Sequence, residues 1–257
     1  MRVQTGDNVG IGGFIITGTA PKHVLVRAIG PSLGQFGVPN PLPDPVLELH
    51  GPAGFATVTD NNWADDPIQA ALIVASGLAP TNNLESAIDA TVNPGAYTAV
   101  VSGNAGSSNL VGVAVIEVYD LSQAALSKLG NISTRAFVST GDNVLIAGFI
   151  LGNHSGLTRI AIRGIGPSLI PFGVANALAN PSLELRDNNA ALVFANNDWQ
   201  ENSAQAALLT AAGLAPTDPL ESGIVMTLGP GQYTAILAGQ GGASGVGVVE
   251  VYDLGPP

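Results

Sequence analysis

The 257-residue sequence contains no cysteine. This excludes disulfides, thiolate nucleophiles and zinc sites built on cysteine. Charged residues are also scarce, at 11%, and 8 Lys and Arg stand against 19 Asp and Glu, for a net charge of −11. A field of that sign repels phosphate backbones and anionic lipids, so we expect no nucleic acid partner. No run of 18 or more apolar residues is present, so we also expect no insertion into a membrane.

Glycine, proline and apolar residues are abundant instead. The sequence holds 33 Gly and 18 Pro, and 46% of its residues are hydrophobic. This composition is typical of many short strands joined by tight turns, with few long exposed helices. An all-β fold is therefore the first expectation.

The chain is one unit written twice. Val24–Leu33 returns as Ile160–Leu169, and both stretches end in Ile-Gly-Pro-Ser-Leu. Arg27 corresponds to Arg163, 136 positions later (163 − 27). A repeat of this length indicates tandem globular domains rather than a solenoid. We predict two domains, residues 1–124 and 125–257.

Each copy is predicted to form an antiparallel β-sandwich, jelly-roll-like or Ig-like in strand number, with one short helix. The helix of the first copy is expected to begin after the capping residue Asp66 and to end at Gly77, lying across the end of a sheet. Asn202 and Gly213 repeat these signals in the second copy. The last strand is almost wholly apolar, which predicts a central position in its sheet.

The first copy lacks a segment that precedes the second. Leu129–Arg135 leads into the second copy, after a brief linker predicted over Ser122–Gly130, whereas the first copy opens at Met1. An incomplete first strand exposes a sheet edge or receives a strand from elsewhere. Truncation of a longer array and strand exchange between chains are both open explanations. The residues predicted to take part in strand exchange are Arg2, Val3, Asn131, Ile132, Phe137 and Val138.

The histidines give no sign of a catalytic site. Under the repeat, His23 corresponds to Arg159 and His50 to Arg186, and His154 meets no other histidine. Neither a Gly-x-Ser-x-Gly elbow nor a His-Glu-x-x-His helix occurs. We therefore predict that the chain is not an enzyme. A hydrolase would need a pocket that joins one histidine to a serine and a carboxylate.

Arg27 and Arg163 each lie inside an apolar strand, just before a Gly-Pro-Ser turn. Phosphate capture by these turns is disfavoured because their prolines have no N–H to donate. A buried guanidinium is tolerable when it is paired, so we predict structural ion pairs. The candidate carboxylates are Glu48 and Glu184 first, with Glu117 and Glu250 as the other set.

Acidic and amide-rich turns are the best candidates for a ligand site. Hard oxygen ligands clustered on loops suit Ca²⁺. The same residues also cap turns through their own backbone, which needs no metal. Trp63 and Trp199 are predicted to anchor the helix on the sheet, with a glycan-stacking platform as the alternative. The candidate Ca²⁺ ligands are Asp60, Asn62, Asp65, Asp187, Asn196 and Asp198.

The second copy resembles bacterial pre-peptidase C-terminal domains, which are small secreted β-sandwiches often associated with Ca²⁺. The resemblance lies in four stretches: Pro181–Asn189, Asn197–Trp199, Glu221–Ile224 and Leu228–Thr234. The whole unit, from Thr-Gly-Asp-Asn through Arg-x-Ile-Gly-Pro-Ser-Leu to Glu-Val-Tyr-Asp-Leu, is also similar to a tandem module of large exported bacterial proteins. That similarity implies a β-sandwich at the cell exterior, and it implies no catalytic residues.

These observations predict a non-catalytic, extracellular or cell-surface structural module of a fibre, stalk or adhesive array. Its predicted partner is itself, in a head-to-tail homopolymer formed by β-strand complementation. The alternative is a Ca²⁺- or glycan-binding appendage of a secreted protein. No signal peptide follows Met1, so either the protein stays inside the cell or the sequence is a mature or excised piece of something longer. The missing start of the first copy favours the second explanation.

Overall fold

The computed structural model describes residues 1–141, 143–152 and 156–256. The described chain is mostly antiparallel strand with two short α-helices, which confirms the predicted all-β fold class. It divides into two compact units, Met1–Gly130 and Asn131–Pro257. The boundary therefore falls after residue 130, where the sequence suggested residue 124. In the described part of the chain, no helix is long and apolar enough to cross a membrane.

Unit 1 consists of two main sheets. One has the strand order β6-β3-β9 and the other β2-β7-β4-β5, and the short strands β1 and β8 pair with each other. A 3-10 helix follows β3 over Pro31–Phe36. The elements are β1 Arg2–Val3, β2 Gly10–Gly18, β3 Lys22–Ile29, β4 Pro45–His50, β5 Val58–Asp60, α1 Pro67–Ala75, β6 Ser86–Val92, β7 Gly95–Gly103, β8 Gly112–Val113 and β9 Val115–Asp120.

Unit 2 has the same arrangement, with an additional strand, β10, paired to its last strand, β17. Its sheets have the orders β15-β12-β17-β10 and β11-β16-β13-β14. A 3-10 helix again follows the strand that corresponds to β3, over Pro167–Phe172. The elements are β10 Ser127–Val138, β11 Leu145–Leu151, β12 Thr158–Ile165, β13 Pro181–Asp187, β14 Leu192–Asn196, α2 Ser203–Ala211, β15 Ser222–Leu228, β16 Gly231–Gly239 and β17 Gly245–Gly255.

The two sheets of each unit pack face to face through alternating apolar side chains. In β4, Leu47 and Leu49 are buried while the residues between them are not, as expected for a strand with one face in the core. In unit 2, Gly164 of β12 lies so close to Leu183 and Leu237 of the opposite sheet that a Cβ there would touch both side chains. These contacts place the core of each unit between its two sheets.

Each helix packs on the outer face of a sheet. Ile73 of α1 is fully buried against Leu25 of β3 and Ala87 of β6, and Trp63 packs on the same cluster. The predicted position across the end of a sheet is therefore wrong, because the buried side of the helix meets Leu25 in the middle of β3 as well as Ala87 near the start of β6. The predicted cap is present: the Asp66 carboxylate accepts hydrogen bonds from two backbone N–H groups of the first turn.

Two other local expectations change. The segment expected to link the copies, Ser122–Gly130, is partly strand, since β10 begins at Ser127. The last strand is central in unit 2, where β17 lies between β12 and β10, but β9 is an edge strand in unit 1.

Candidate functional site

The outer edge of β9 is the feature that most distinguishes the two units. β9 pairs on one side with β3, in a register that places Glu117 opposite Arg27. Within the described residues of unit 1, no strand pairs with its other side. The equivalent strand of unit 2, β17, pairs with β12 on one side and with Asn131–Val138 of β10 on the other. An unpaired edge of this kind is a template for an additional strand.

The short strand β1 occupies the end of this edge. Val3 pairs with Gly112 just as Val138 pairs with Gly245 in unit 2. Met1 continues this ladder, because it donates to the carbonyl of Ala114 and accepts from its N–H, both at 3.0 Å. Beyond Ala114, the edge from Val115 to Asp120 has no partner strand in the described part of unit 1.

Burial follows the presence or absence of the covering strand. In unit 2, Val249 and Val251 are 0% and 5% exposed. Their counterparts in β9, Ile116 and Val118, are only partly buried, and Val115 is 37% exposed. The open edge of β9 therefore exposes apolar side chains. The corresponding side chains of β17 are buried, because β10 lies beside them.

The residues predicted for strand exchange lie on the strands at this position of each unit. Arg2 and Val3 form β1, and the other four lie in β10. Asn131 is buried, and its amide donates to the carbonyl of Val251 at 3.1 Å. Strand exchange itself stays a prediction.

The two arginines are partly buried, and they pair with other carboxylates than those predicted first. Arg27 donates from Nε to Glu117 Oε2 at 2.8 Å and from Nη2 to the Tyr119 hydroxyl at 3.0 Å. Its Nη1 also donates to the carbonyl of Leu78, which connects the strand to the segment after α1. The guanidinium lies 5.0 Å from the Tyr119 ring centre, within cation–π range.

Unit 2 repeats this arrangement with Arg163, Glu250 and Tyr252. Burial opposes the charge of Arg163, but the charges and hydrogen bonds of Glu250 and Tyr252 together more than offset it and raise the pKa of the guanidinium. Burial, reinforced by the charge of Glu250, raises the pKa of Tyr252.

Glu48 and Glu184 were predicted as the partners of these arginines, and this assignment is wrong. Glu48 pairs with His50 at 3.0 Å, and Glu184 pairs with Arg186 at 2.6 Å, each on the half-exposed surface of the other sheet. The core of each unit separates them from the arginines. The second candidate set is the one observed, because Glu117 and Glu250 lie directly across the strand pair.

A buried carboxylate that the sequence analysis missed holds the Gly-Pro-Ser turn. Glu85 is fully buried, and its Oε1 accepts from the backbone N–H groups of Gly30 and Ser32 at 3.1 and 3.0 Å. The Ser32 hydroxyl donates to the same oxygen at 2.5 Å. Glu221 binds the same donors in unit 2, except that the Ser168 hydroxyl donates to its other oxygen, Oε2. The repetition of Glu-Ser in both copies was the signal for this role.

The candidate Ca²⁺ ligands hydrogen-bond other groups of the protein, some within their own turn and some on a distant strand. Asp60 Oδ2 accepts from the N–H of Ala87 at 2.8 Å, and Asn62 donates to Asp65 at 2.9 Å. Asp187 accepts from two backbone N–H groups of its own turn. Asn196 donates to the carbonyl of Asp198 at 3.0 Å. Among the described residues, no three His, Asp or Glu side chains are placed to hold a metal ion. Ca²⁺ binding stays a prediction.

Asp60 and Asn196 occupy corresponding positions in the two units and accept the same kind of hydrogen bond. Asn196 Oδ1 accepts from the N–H of Gly223 at 2.8 Å, as Asp60 accepts from Ala87. Burial raises the pKa of Asp60, opposed by its backbone hydrogen bond and reinforced by the charge of Asp65. A carboxyl whose folded-state pKa is raised stabilises the fold most below its unfolded pKa, and this contribution is lost as the pH rises through the folded pKa.

We therefore expect Asp60→Asn to stabilise unit 1 at pH 7 by about 1 kcal/mol, because the amide keeps the hydrogen bond without a buried charge. The gain should disappear in acid, where the Asp60 carboxyl of the unsubstituted chain is protonated. Urea unfolding at pH 7 and below pH 4 measures both values. Asn196→Asp should destabilise unit 2 at pH 7, and equal stability at both pH values would contradict the expectation.

Two histidines each form hydrogen bonds with a carboxylate, in separate places. His23 Nε2 contacts both carboxylate oxygens of Asp89, at 2.8 and 2.9 Å, and His50 contacts Glu48 and the Thr57 hydroxyl. Within the described residues, neither ring hydrogen-bonds a serine hydroxyl. His154 lies outside the described residues. The absence of an enzymatic activity stays a prediction.

Comparisons with known proteins leave the resemblances of the sequence untested. The chain matches no protein-family model, and it matches no curated protein. Function must therefore be argued from the open edge and the repeat.

Proposed function

We propose that the chain is a non-catalytic structural module of an extracellular fibre, stalk or adhesive array, in which β-strand complementation joins neighbouring molecules. The observation that carries the proposal is the outer edge of β9. The same strand of the repeat is covered by β10 in unit 2 and uncovered in unit 1.

An added strand supplies both affinity and specificity in such an assembly. Its backbone forms hydrogen bonds with the free N–H and C=O groups of the open edge. Every second side chain of the added strand packs against the apolar side chains at that edge. Ile116 and Val118 would then be buried as Val249 and Val251 are. A heterologous contact of this kind generates a filament when its rotation does not close into a ring.

We expect the purified chain to form end-to-end assemblies whose length grows with concentration, visible by negative-stain microscopy and by size-exclusion chromatography. Val115→Lys should prevent assembly, because a lysine on an open edge disfavours strand pairing. Val58→Lys is the matched control, since Val58 is 38% exposed on the edge strand β5 and Val115 is 37% exposed on β9. Only discrete monomers of the unsubstituted chain at high concentration would contradict the proposal.

A second candidate function is the binding of Ca²⁺ or a glycan. A concavity of about 280 Å³ in unit 2 favours it, because carboxylates and amides line part of its wall: Glu184, Asn196, Asn197 and Glu201. Calorimetry with Ca²⁺ and a glycan array test this candidate. No heat of binding and no bound glycan would remove it.

A further inference from the structure

We propose that a cleft in unit 2, beside the 3-10 helix Pro167–Phe172, binds a neutral sugar ring of a glycan. The cleft has a volume of about 270 Å³ and is lined by residues of β12, β17, the 3-10 helix and the segment after α2. It shares no lining residue with the concavity of the second candidate function. The inference goes beyond the proposed structural role, because it does not depend on how molecules assemble.

An aromatic ring at the rim of the cleft is almost free in solvent. Phe172 is 84% exposed, and Leu169, Pro216 and Val248 continue its apolar surface into the cleft. The Glu221 carboxylate holds the turn that carries the ring. A ring that is already fixed loses little conformational freedom when a ligand binds. The C–H face of a pyranose can stack on such an exposed aromatic ring.

The residues of the cleft recur in unit 1. All ten that line it have an identical counterpart 136 positions earlier, or 133 positions earlier for the two on β17. Of the eight around the other concavity, three have one: Leu183, Glu184 and Asn197. Phe36 corresponds to Phe172 and is 76% exposed, although the two residues before it differ between the units. Core packing does not explain the repetition of an exposed ring, so it indicates binding at this surface.

The hydroxyl groups of the cleft leave an acceptor for a ligand. The Ser168 hydroxyl donates its proton to Glu221 Oε2 at 2.7 Å. The Thr217 hydroxyl, 2.6 Å from Ser168 Oγ, must therefore donate to Ser168, because a hydroxyl has one proton to give. Thr217 is exposed, so its oxygen can accept a hydrogen bond from a ligand. A ligand that carries hydroxyl groups supplies the matching donor.

The charges of the cleft favour a neutral ligand. The Arg163 guanidinium and the Glu250 carboxylate lie 2.6 Å apart, and each side chain is 19% exposed. The guanidinium repels a cation, whereas the carboxylates of Glu221 and Glu250 and the net charge of −11 repel an anion. Pockets for drug-sized ligands have volumes of about 300–1,000 Å³, so this smaller cleft suits a single ring. A neutral hexose or N-acetylhexosamine has the required ring, hydroxyls and C–H face.

Saturation-transfer difference NMR on the full chain tests the site, with the methyl glycosides of glucose, galactose, mannose and N-acetylglucosamine as probes. We expect saturable binding of at least one probe. Phe36→Ala combined with Phe172→Ala should weaken it about ten-fold or more, because the stacking surface is lost in both units. Thr81→Val combined with Thr217→Val keeps the side-chain shape and should weaken it about five-fold or more. Ile68→Ala combined with Ile150→Ala is the matched control, since these residues are 73% and 69% exposed outside the cleft.

Each other outcome overturns the inference in a recognisable way. No saturable binding of any of the four probes overturns it, and so does binding that the two phenylalanine substitutions leave unchanged. If Glu201→Gln weakens binding instead, the sugar lies in the other concavity and the second candidate function stands. If no probe binds and the phenylalanine substitutions change the size-exclusion profile, the rings contact another copy of the chain. A chain that binds a probe but stays monomeric supports the inference and contradicts the filament.

Discussion

Replacing Glu85 by alanine is expected to lower the free energy of unfolding of unit 1 by about 4 kcal/mol. The carboxylate is fully buried, and one of its oxygens accepts the N–H groups of Gly30 and Ser32 and the Ser32 hydroxyl. Without it, the buried N–H of Gly30 and the partly buried N–H of Ser32 lose their acceptor, and a cavity remains beside them. Each unsatisfied buried group costs about 1–3 kcal/mol, so this single side chain decides whether the turn after β3 can form.

The two tryptophans allow the effect to be assigned to one unit. Trp63 packs beside α1 in unit 1, and Trp199 packs beside α2 in unit 2. Urea unfolding followed by fluorescence in a Trp199→Phe background reports on unit 1, because only Trp63 then remains. Glu85→Ala should lower the urea midpoint of that transition. The midpoint reported by Trp199 in a Trp63→Phe background should stay unchanged.

Glu85→Gln is the conservative control. Glu85 Oε2 is buried with no hydrogen-bond partner among the described residues, so an amide nitrogen in its place loses no acceptor contact. We expect a cost of about 1 kcal/mol for this change. Glu221→Gln should cost more in unit 2, because there the second oxygen accepts from the Ser168 hydroxyl at 2.7 Å. A Glu85→Ala variant as stable as Glu85→Gln would show that the turn is not held by the carboxylate.

The parts of the fold that depend on neighbouring residues in the sequence could be predicted. The helix start at Asp66 is an example, because a capping side chain followed by Pro67 acts within one turn of the chain. Alternating apolar residues likewise placed the strands, as in Leu47 and Leu49 of β4. The internal repeat then allowed each assignment to be checked a second time in the same chain.

The partners of buried charges could not be predicted in the same way. Glu48 and Glu117 both lie in strands with apolar neighbours, and nothing local tells which sheet each strand joins. The partner of Arg27 was decided by the pairing of β3 with β9, which are about 90 residues apart in sequence. The role of Glu85 was missed for the same reason, because its donors lie in a turn that precedes it by more than 50 residues.

β9 and β17 have the same apolar pattern, but one is an edge strand and the other is a central strand. The apolar pattern of this strand predicts a central position, and β17 has it because Asn131–Val138 lies alongside. β9 has the same pattern without that neighbour. The sequence alone does not show that this apolar strand lies at an open edge. The proposed function gives a reason for that position.

Gly30→Ala is expected to destabilise unit 1 by about 3 kcal/mol or more. A Cβ at this position would lie far inside van der Waals contact of the Leu42 carbonyl oxygen. Neither atom belongs to a flexible side chain, so a rotamer change cannot relieve the overlap. Leu42 cannot retreat either, because it is buried and its N–H donates to the carbonyl of Val113 at 2.8 Å. Gly166 makes the same close approach to Leu178 in unit 2.

Gly34→Ala provides the matched control from the same 3-10 helix. Its nearest neighbour to an added Cβ is Pro41 Cγ at 3.8 Å, an ordinary contact. This variant should therefore unfold within about 0.5 kcal/mol of the unsubstituted chain. If Gly30→Ala were equally mild in the Trp199→Phe background, the close approach to Leu42 would not constrain the turn. If Gly30→Ala alone is severe, the glycine of the repeated Gly-Pro-Ser sequence is required by packing, and its presence in both units needs no phosphate or other ligand.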